Sequence, residues 1–195
     1  MKDNDIVVFP TLLNYVENFL TIEQCKEIIK FVKNKKYKKH NALEGNSISN
    51  HGLNDKILSD INKNVKNCKN IEENLLTFIN KYTDKLGVPS LKLTNSWINF
   101  QNKGSKLLPH CHPGNVVSGV MYLNIDNNSS KIYFHNPNQF TSFMAKKESS
   151  QFVYDFQIVL PKIGDLILFP SWLQHSSGTD VNMTEERVAL SFNAR

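Results

Sequence analysis

The sequence predicts an α+β fold with a mainly β core, a small roll or sandwich of short strands buttressed by the helices that precede it. Two observations predict it. Apolar residues recur at helical spacing over much of the first ninety positions. From Leu91 onward the grammar changes to short β-branched or aromatic runs parted by Gly, Asn and Pro. The 195 residues contain no internal repeat and no low-complexity linker. That suits one domain, 1–195, with 1–90 as a mainly helical support lobe and 91–195 as the β core.

Taken in order, residues 6–20 open with an apolar β-like run, break at Pro10 and continue into a second short strand. Thr21 is placed as a helix N-cap with Gln24 at the capping-box position, which predicts a helix over 21–34. Ile22, Cys25, Ile28, Ile29 and Val32 fall on one face of it. The asparagine-rich stretch 40–52, with Gly45 and Gly52, reads as a loop. Two helical pieces follow, one carrying Ile57, Leu58, Ile61 and Val65, the other Ile71, Leu75, Leu76, Ile79 and Leu86. Gly87 and Pro89 supply the stop. Strands are predicted over 91–100, 116–125, 131–136, 156–161, 165–170 and 187–193, with a tight hairpin at 161–165 between two of them.

Composition removes several function classes. No apolar run is long enough to span a bilayer, and the polar start of the chain argues against a secretory signal. Cys25, Cys68 and Cys111 are scattered, which excludes a disulfide scaffold or zinc knuckle and points to the cytoplasm. No glycine-rich nucleotide-binding motif occurs. The formal charge of +5 is carried mostly by lysine, since arginine occurs only at Arg187 and Arg195. The run Lys33, Lys35, Lys36, Lys38, Lys39 lacks the arginine and aromatic interleaving of nucleic-acid surfaces, so a solvated helix end is expected there and nucleic acid is not favoured as a partner.

The segment Leu108–Gly114 carries the chemistry. At i and i+2 on a strand, His110 and His112 would aim two imidazoles at one point while Cys111 turns away to pack. Neutral imidazole is the commonest nitrogen ligand for iron, zinc or copper. His175 follows sixty-three residues after His112, at the end of a predicted strand that a roll would bring alongside. Twelve residues further, Arg187 opens the last strand and shares a face with Ala189 and Ser191. A guanidinium held there could fork onto a carboxylate inside a cavity, where a buried arginine would require an acid, an anion or water as its partner.

These residues resemble the 2-oxoglutarate- and iron(II)-dependent oxygenases, whose fold is a double-stranded β-helix of the jelly-roll or cupin-like type. Trp97-Ile98-Asn99, His110-Cys111-His112-Pro113, Ser118-Gly119 with Tyr122, Phe169-Pro170-Ser171-Trp172 with His175, and Glu186-Arg187 with Ser191-Phe192-Asn193 resemble one branch of small proteins in that superfamily. The resemblance spans about 95–193. It implies that His110, His112 and His175 are the catalytic metal ligands, with Fe(II) as the metal. It implies that Arg187, with Ser191, binds the distal carboxylate of the co-substrate 2-oxoglutarate, and makes Tyr122 and Asn99 candidates for further hydrogen bonds to it. The activity implied is a dioxygenase that consumes dioxygen, hydroxylates a substrate and releases succinate and CO2. His112 departs from the wider superfamily, which places a carboxylate there, and three histidines also make a zinc site. The competing reading is a cupin-like protein that binds a metal or a small acid without oxidising anything.

Plainer expectations stand beside these. His40, His51 and His135 read as ordinary loop or strand residues, and Trp172 as packing over His175. Phe140, Phe143, Phe152, Tyr154 and Phe156 read as a strand-and-loop hydrophobic surface, expected to pack in the core, the alternative being that they line a substrate mouth. Residues 136–156 are the expected site of contacts to the unidentified substrate, because long loops at a barrel mouth carry specificity. Oligomeric state has no signature in the sequence.

Overall fold

The computed structural model describes residues 7–143 and 154–195. Phe152 and residues 144–153 of the expected substrate-contact segment lie outside that range, as does residue 6 of the predicted first strand.

Every strand pairing is antiparallel. The large sheet contains β1 (Asn14–Val16), β3 (Ser47–Ser49), β4 (Leu93–Gln101), β6 (Val117–Asn124), β9 (Leu166–Pro170) and β11 (Arg187–Ala194), in the spatial order β1-β9-β6-β11-β4-β3. Opposite lies a small sheet of β7 (Ile132–His135), β8 (Phe156–Val159) and β10 (His175–Ser176), in the order β10-β7-β8. A ribbon of β2 (Leu43–Glu44) and β5 (Lys106–Leu107) closes one end. Three helices, α1 (Ile22–Val32), α2 (Ile57–Asn64) and α3 (Ile71–Leu86), pack on the large sheet.

Side-chain alternation explains why the large sheet is covered on both faces. Val188, Leu190 and Phe192 of β11, Met121 and Leu123 of β6, Leu166 and Leu168 of β9, and Ile98 of β4 share one core with Cys25, Ile28, Ile57, Ile61, Leu75 and Ile79 of the helices. The alternate positions turn the other way. Val120, Tyr122, Ile167, Phe169 and Ala189 meet Ile132 and Phe134 of the small sheet in a second, smaller core. At the ends of β4 and β11 the inward positions are polar instead, and there the roll stays open as a cavity.

Local signals account for the helix ends. Thr21 Oγ1 accepts from the Gln24 amide at 3.1 Å while the Thr21 amide donates to Gln24 Oε1 at 2.9 Å, the capping box the sequence predicted. Gly87 closes α3 in the left-handed region with φ +67°, a conformation that any Cβ would resist.

Five expectations are corrected. Ile22 is exposed, because the first turn of α1 projects beyond the sheet. Residues 7–13 form no strand, and β1 begins only at Asn14, where β9 offers an edge. The stretch 40–52 contains β2 and β3, and β3 extends the large sheet beside β4. The 161–165 turn is not a hairpin. β8 pairs with β7 and β9 with β6, so the turn carries the chain from one sheet to the other. Phe140, Phe143, Tyr154 and Phe156 are exposed, with Phe140 at 80 % and Phe143 at 84 %, because they lie at or beyond the edge strand β8.

Candidate metal centre and cavity

The three predicted histidines come together. His110 and His175 face each other as an isolated antiparallel bridge, each amide donating to the other's carbonyl at 3.1 and 3.0 Å. Main-chain pairing, not a long strand, is what brings the distant histidine in. The His112 amide donates to the Ser171 carbonyl at 2.8 Å, which ties the same loop to the end of β9. One potential ligand nitrogen from each ring lies within 4.8 Å of the others.

Hydrogen bonding orients two of the rings. The Leu108 carbonyl accepts from His110 Nδ1 at 2.8 Å, and the Leu173 carbonyl accepts from His175 Nδ1 at 3.0 Å. A proton held on Nδ1 leaves the Nε2 lone pair free, the arrangement a metal ligand needs. Burial favours the neutral rings. It pushes His175 well below its ordinary range and lowers His110. Burial, reinforced by His110, His51 and His40, brings His112 down to about 4. All three shifts favour the neutral ring, which keeps one N–H and offers one nitrogen lone pair to a metal. This donor set fits a divalent first-row ion, and its charge is left for an anionic co-ligand to balance.

A cavity of about 600 Å³ opens beside the triad, within the usual range for small-molecule sites. Its floor is the inward face of β4 and β11. Across these strands Arg187 is registered with Gln101, Ala189 with Asn99, Ser191 with Trp97 and Asn193 with Asn95. β6 continues the floor with Tyr122 beside Ala189 and Val120 beside Ser191.

Arg187 marks one end and is only 5 % exposed. Its Nη1 donates to Gln101 Oε1, and its guanidinium carbon lies 5.3 Å from the centre of the Tyr122 ring. Nε has no hydrogen-bond partner, and neither do the Tyr122 hydroxyl, Gln101 Nε2 or Asn99 Oδ1, all buried. Asn99 Nδ2 reaches Ser191 Oγ at 3.4 Å. Of the partners expected for Arg187, an acid, an anion or water, no acidic side chain among the described residues is in place, and its side-chain hydrogen bond is to a neutral amide. Nor is Arg187 in a surface ion pair with its neighbour, because Glu186 pairs with Lys33 at 3.2 Å. A buried cation ringed by orphaned polar atoms is a cradle for an anion.

Several residues read as ordinary are at this site. His40 and His51 line the cavity, with ring centres 4.8 Å apart, and His51 stands 4.7 Å from Trp97. Trp97 in turn lies 5.7 Å from His112. Gln101, Asn95 and Asn193 were detectable, since they occupy the same two-residue period as Asn99 and Arg187. Nothing local in the 40–52 stretch signals His40 or His51. Cys111 is exposed, not packed, and Trp172 is 56 % exposed, while the aromatic rings of Phe134 and Phe169 pack against His175. His135 holds Ser176 Oγ at 2.8 Å across the small sheet. The lysine run is exposed, as expected of a solvated helix end.

Residues 95–193 match the family described as "Putative 2OG-Fe(II) oxygenase", and the chain belongs to that family of Fe(II)- and 2-oxoglutarate-dependent oxidoreductases. Solved structures of similar fold include HygX from Streptomyces hygroscopicus with nickel and 2-oxoglutarate bound, at 11 % identity and TM-score 0.64, covering 94 % of this chain and 82 % of that one. An oxidoreductase of the 2OG-Fe(II) oxygenase family from Burkholderia pseudomallei is similar at 13 % identity and TM-score 0.63, covering 94 % and 84 %. A Pseudomonas putida prolyl-4-hydroxylase is similar at 13 % identity and TM-score 0.57, covering 95 % and 92 %. The fold is thus the double-stranded β-helix. No curated protein matches the chain in sequence. No helix among the described residues is long and apolar enough to cross a membrane.

Proposed function

We propose that His110, His112 and His175 hold the ferrous ion, that Arg187 with Ser191, Tyr122 and Asn99 holds the distal carboxylate of 2-oxoglutarate, and that the reaction is a hydroxylation. In balance, 2-oxoglutarate, dioxygen and a C–H substrate become succinate, CO2 and the alcohol. The observation that carries this reading is one cavity with three convergent neutral imidazoles and a buried arginine that, among the described residues, has no acidic partner.

Bound iron would supply the chemistry of dioxygen activation, with the oxo-acid as the two-electron reductant. The chain's own residues bind and orient. The Leu108 and Leu173 carbonyls keep two imidazoles in their ligand tautomer. Arg187 offers its remaining N–H groups to one end of the dianion, with Tyr122 and Asn99 beside it. Val120, Ile132 and Phe169 wall the cavity with apolar surface that excludes water. The dianion also supplies the negative charge that three neutral ligands do not. Helices and roll share one core, which supports reading the chain as one domain.

The test is anaerobic addition of Fe(II) and 2-oxoglutarate followed by admission of dioxygen. A weak visible charge-transfer band and then succinate are expected. Tight zinc retention with neither band nor succinate would favour a metal-binding protein without turnover and overturn the proposal.

A further inference from the structure

The cavity floor has a second polar end, opposite Arg187, that the oxygenase chemistry does not use. Asn193, six positions after Arg187 on the inward face of β11, donates through Nδ2 to Asn95 Oδ1 at 2.9 Å and accepts from Ser118 Oγ at 2.7 Å. Ser118 Oγ also meets Ser171 Oγ at 2.8 Å. Thr94 Oγ1 has one proton to give and lies 2.9 Å from Asn115 Oδ1, its shortest contact, 3.1 Å from the Asn193 carbonyl oxygen and 3.3 Å from Asn95 Oδ1. The network therefore occupies the carboxamide oxygens of Asn95, Asn115 and Asn193. Among the described residues the amino groups of Asn95 and Asn115, both of which line the cavity, donate no hydrogen bond, so this end offers donors.

The metal triad adjoins this end. His112 is bonded through its amide to Ser171, contacts Trp97 two positions along β4 from Asn95, and its carbonyl accepts from the Asn115 amide at 3.4 Å. Among the described residues that line the cavity there is no aspartate or glutamate, and the one formal cation is Arg187, at the other end. A cationic group would find no counter-charge here. A phosphate would find no cation at the asparagine end, whereas two neutral N–H donors match a carbonyl or carboxylate oxygen.

We propose that Asn95 and Asn115 form the substrate-anchoring subsite, and that they grip a carbonyl or carboxylate oxygen of a neutral or anionic substrate. This rests on the oxygenase reading, which assigns the opposite end to 2-oxoglutarate.

The test measures binding to protein loaded with Zn(II) and 2-oxoglutarate, which turns nothing over, by ligand-detected NMR. Three probes are compared: N-acetylglycinamide, N-acetylglycine and 1,3-diaminopropane. Saturable binding of at least one of the two carbonyl probes, at least tenfold tighter than the diamine, is expected. Asn95→Asp and Asn115→Asp keep the oxygen that the network needs while replacing the donors with an acceptor, so each should weaken the bound probe at least tenfold. Preference for the diamine, or Kd values in both variants within twofold of wild type, would overturn the proposal. So would a loss of 2-oxoglutarate affinity as large as the loss of probe affinity, since that would move the pair to the co-substrate end. Uptake of zinc and 2-oxoglutarate with no probe bound would sink the subsite alone. Uptake of neither would sink the oxygenase reading, and probe discrimination by the apo protein would still decide the asparagine end.

Discussion

Arg187 carries a charge that no acidic side chain among the described residues pairs with, and replacing it separates binding from folding. In Arg187→Met a flexible apolar chain fills nearly the same volume. The variant removes the desolvation of a buried guanidinium, which burial already disfavours enough to lower its pKa. Against this, Gln101 Oε1 loses its donor, a cost of about 1–3 kcal/mol. The two effects oppose each other, so the apo protein should be no less stable by more than about 1 kcal/mol. With 2-oxoglutarate the sign is clear. One Nη already serves Gln101, and a fork of two charge-assisted bonds to the carboxylate, at about 1.5–3 kcal/mol each, would be lost. That corresponds to about 10²–10⁴ in Kd. Arg187→Lys keeps the charge but one bond fewer, for a KM increase of about 10–100-fold. The assay pairs urea unfolding of the apo proteins with succinate formation against 2-oxoglutarate concentration, and metal uptake is followed in parallel. If Arg187→Met loses several kcal/mol of apo stability, or metal and co-substrate together, then Arg187 supports the fold. If Arg187→Lys leaves KM within twofold, the co-substrate assignment is refuted.

Further outcomes are expected from the triad and the sheet. His110→Ala should abolish stoichiometric Fe(II) binding while leaving far-UV circular dichroism unchanged, since the bridge to His175 is made by main chain; retained iron would remove His110 from the ligand set. His112→Asp should keep iron binding, because a carboxylate completes a two-histidine facial triad, and equilibrium dialysis would show otherwise. Gly119→Ala should lose about 1–3 kcal/mol in urea unfolding. A Cβ there would lie 2.9 Å from the Ile167 carbonyl oxygen and closer still to the Phe192 ring, so a variant within 0.5 kcal/mol (about the scatter of a neutral change) would contradict the packing. With His112 near 4 when folded and near 6.5 when unfolded, the unfolded chain binds more protons between those values. Apo stability should therefore fall as pH drops from 6.5 to 4, with about 3 kcal/mol from His112 alone. His112→Ala should flatten that slope, and parallel curves for the two proteins would refute the cause.

Much of this protein was legible in its sequence because the signals are local and periodic. Short β-branched or aromatic runs in Val117–Asn124, Leu166–Pro170 and Arg187–Ala194 mark strands whatever they pair with. Thr21 with Gln24 and Gly87 punctuate helices through bonds and backbone angles that span a few residues. The histidine pair at 110 and 112, the distal histidine and the arginine on the last strand were equally visible.

What the tertiary structure decided is whatever depends on a partner far along the chain. β3 is a strand because β4 presents an unpaired edge, not because Ser47–Ser49 is apolar. The turn at 161–165 changes sheets because β7 and β6 claim the strands on either side of it. His110 meets His175 through a two-residue bridge too short to leave a periodic trace, and His40 and His51 reach the cavity on a loop with no period at all. The asparagine end follows the same rule. Asn95, Asn115 and Asn193 are unremarkable residues in an asparagine-rich chain until the register of β4 with β11 places Asn95 against Asn193. Sequence alone determines the alternation of faces along each strand, because that is set by the backbone of each residue. Which faces enclose a cavity, and what they hold in common, is set by long-range pairing that no local stretch encodes.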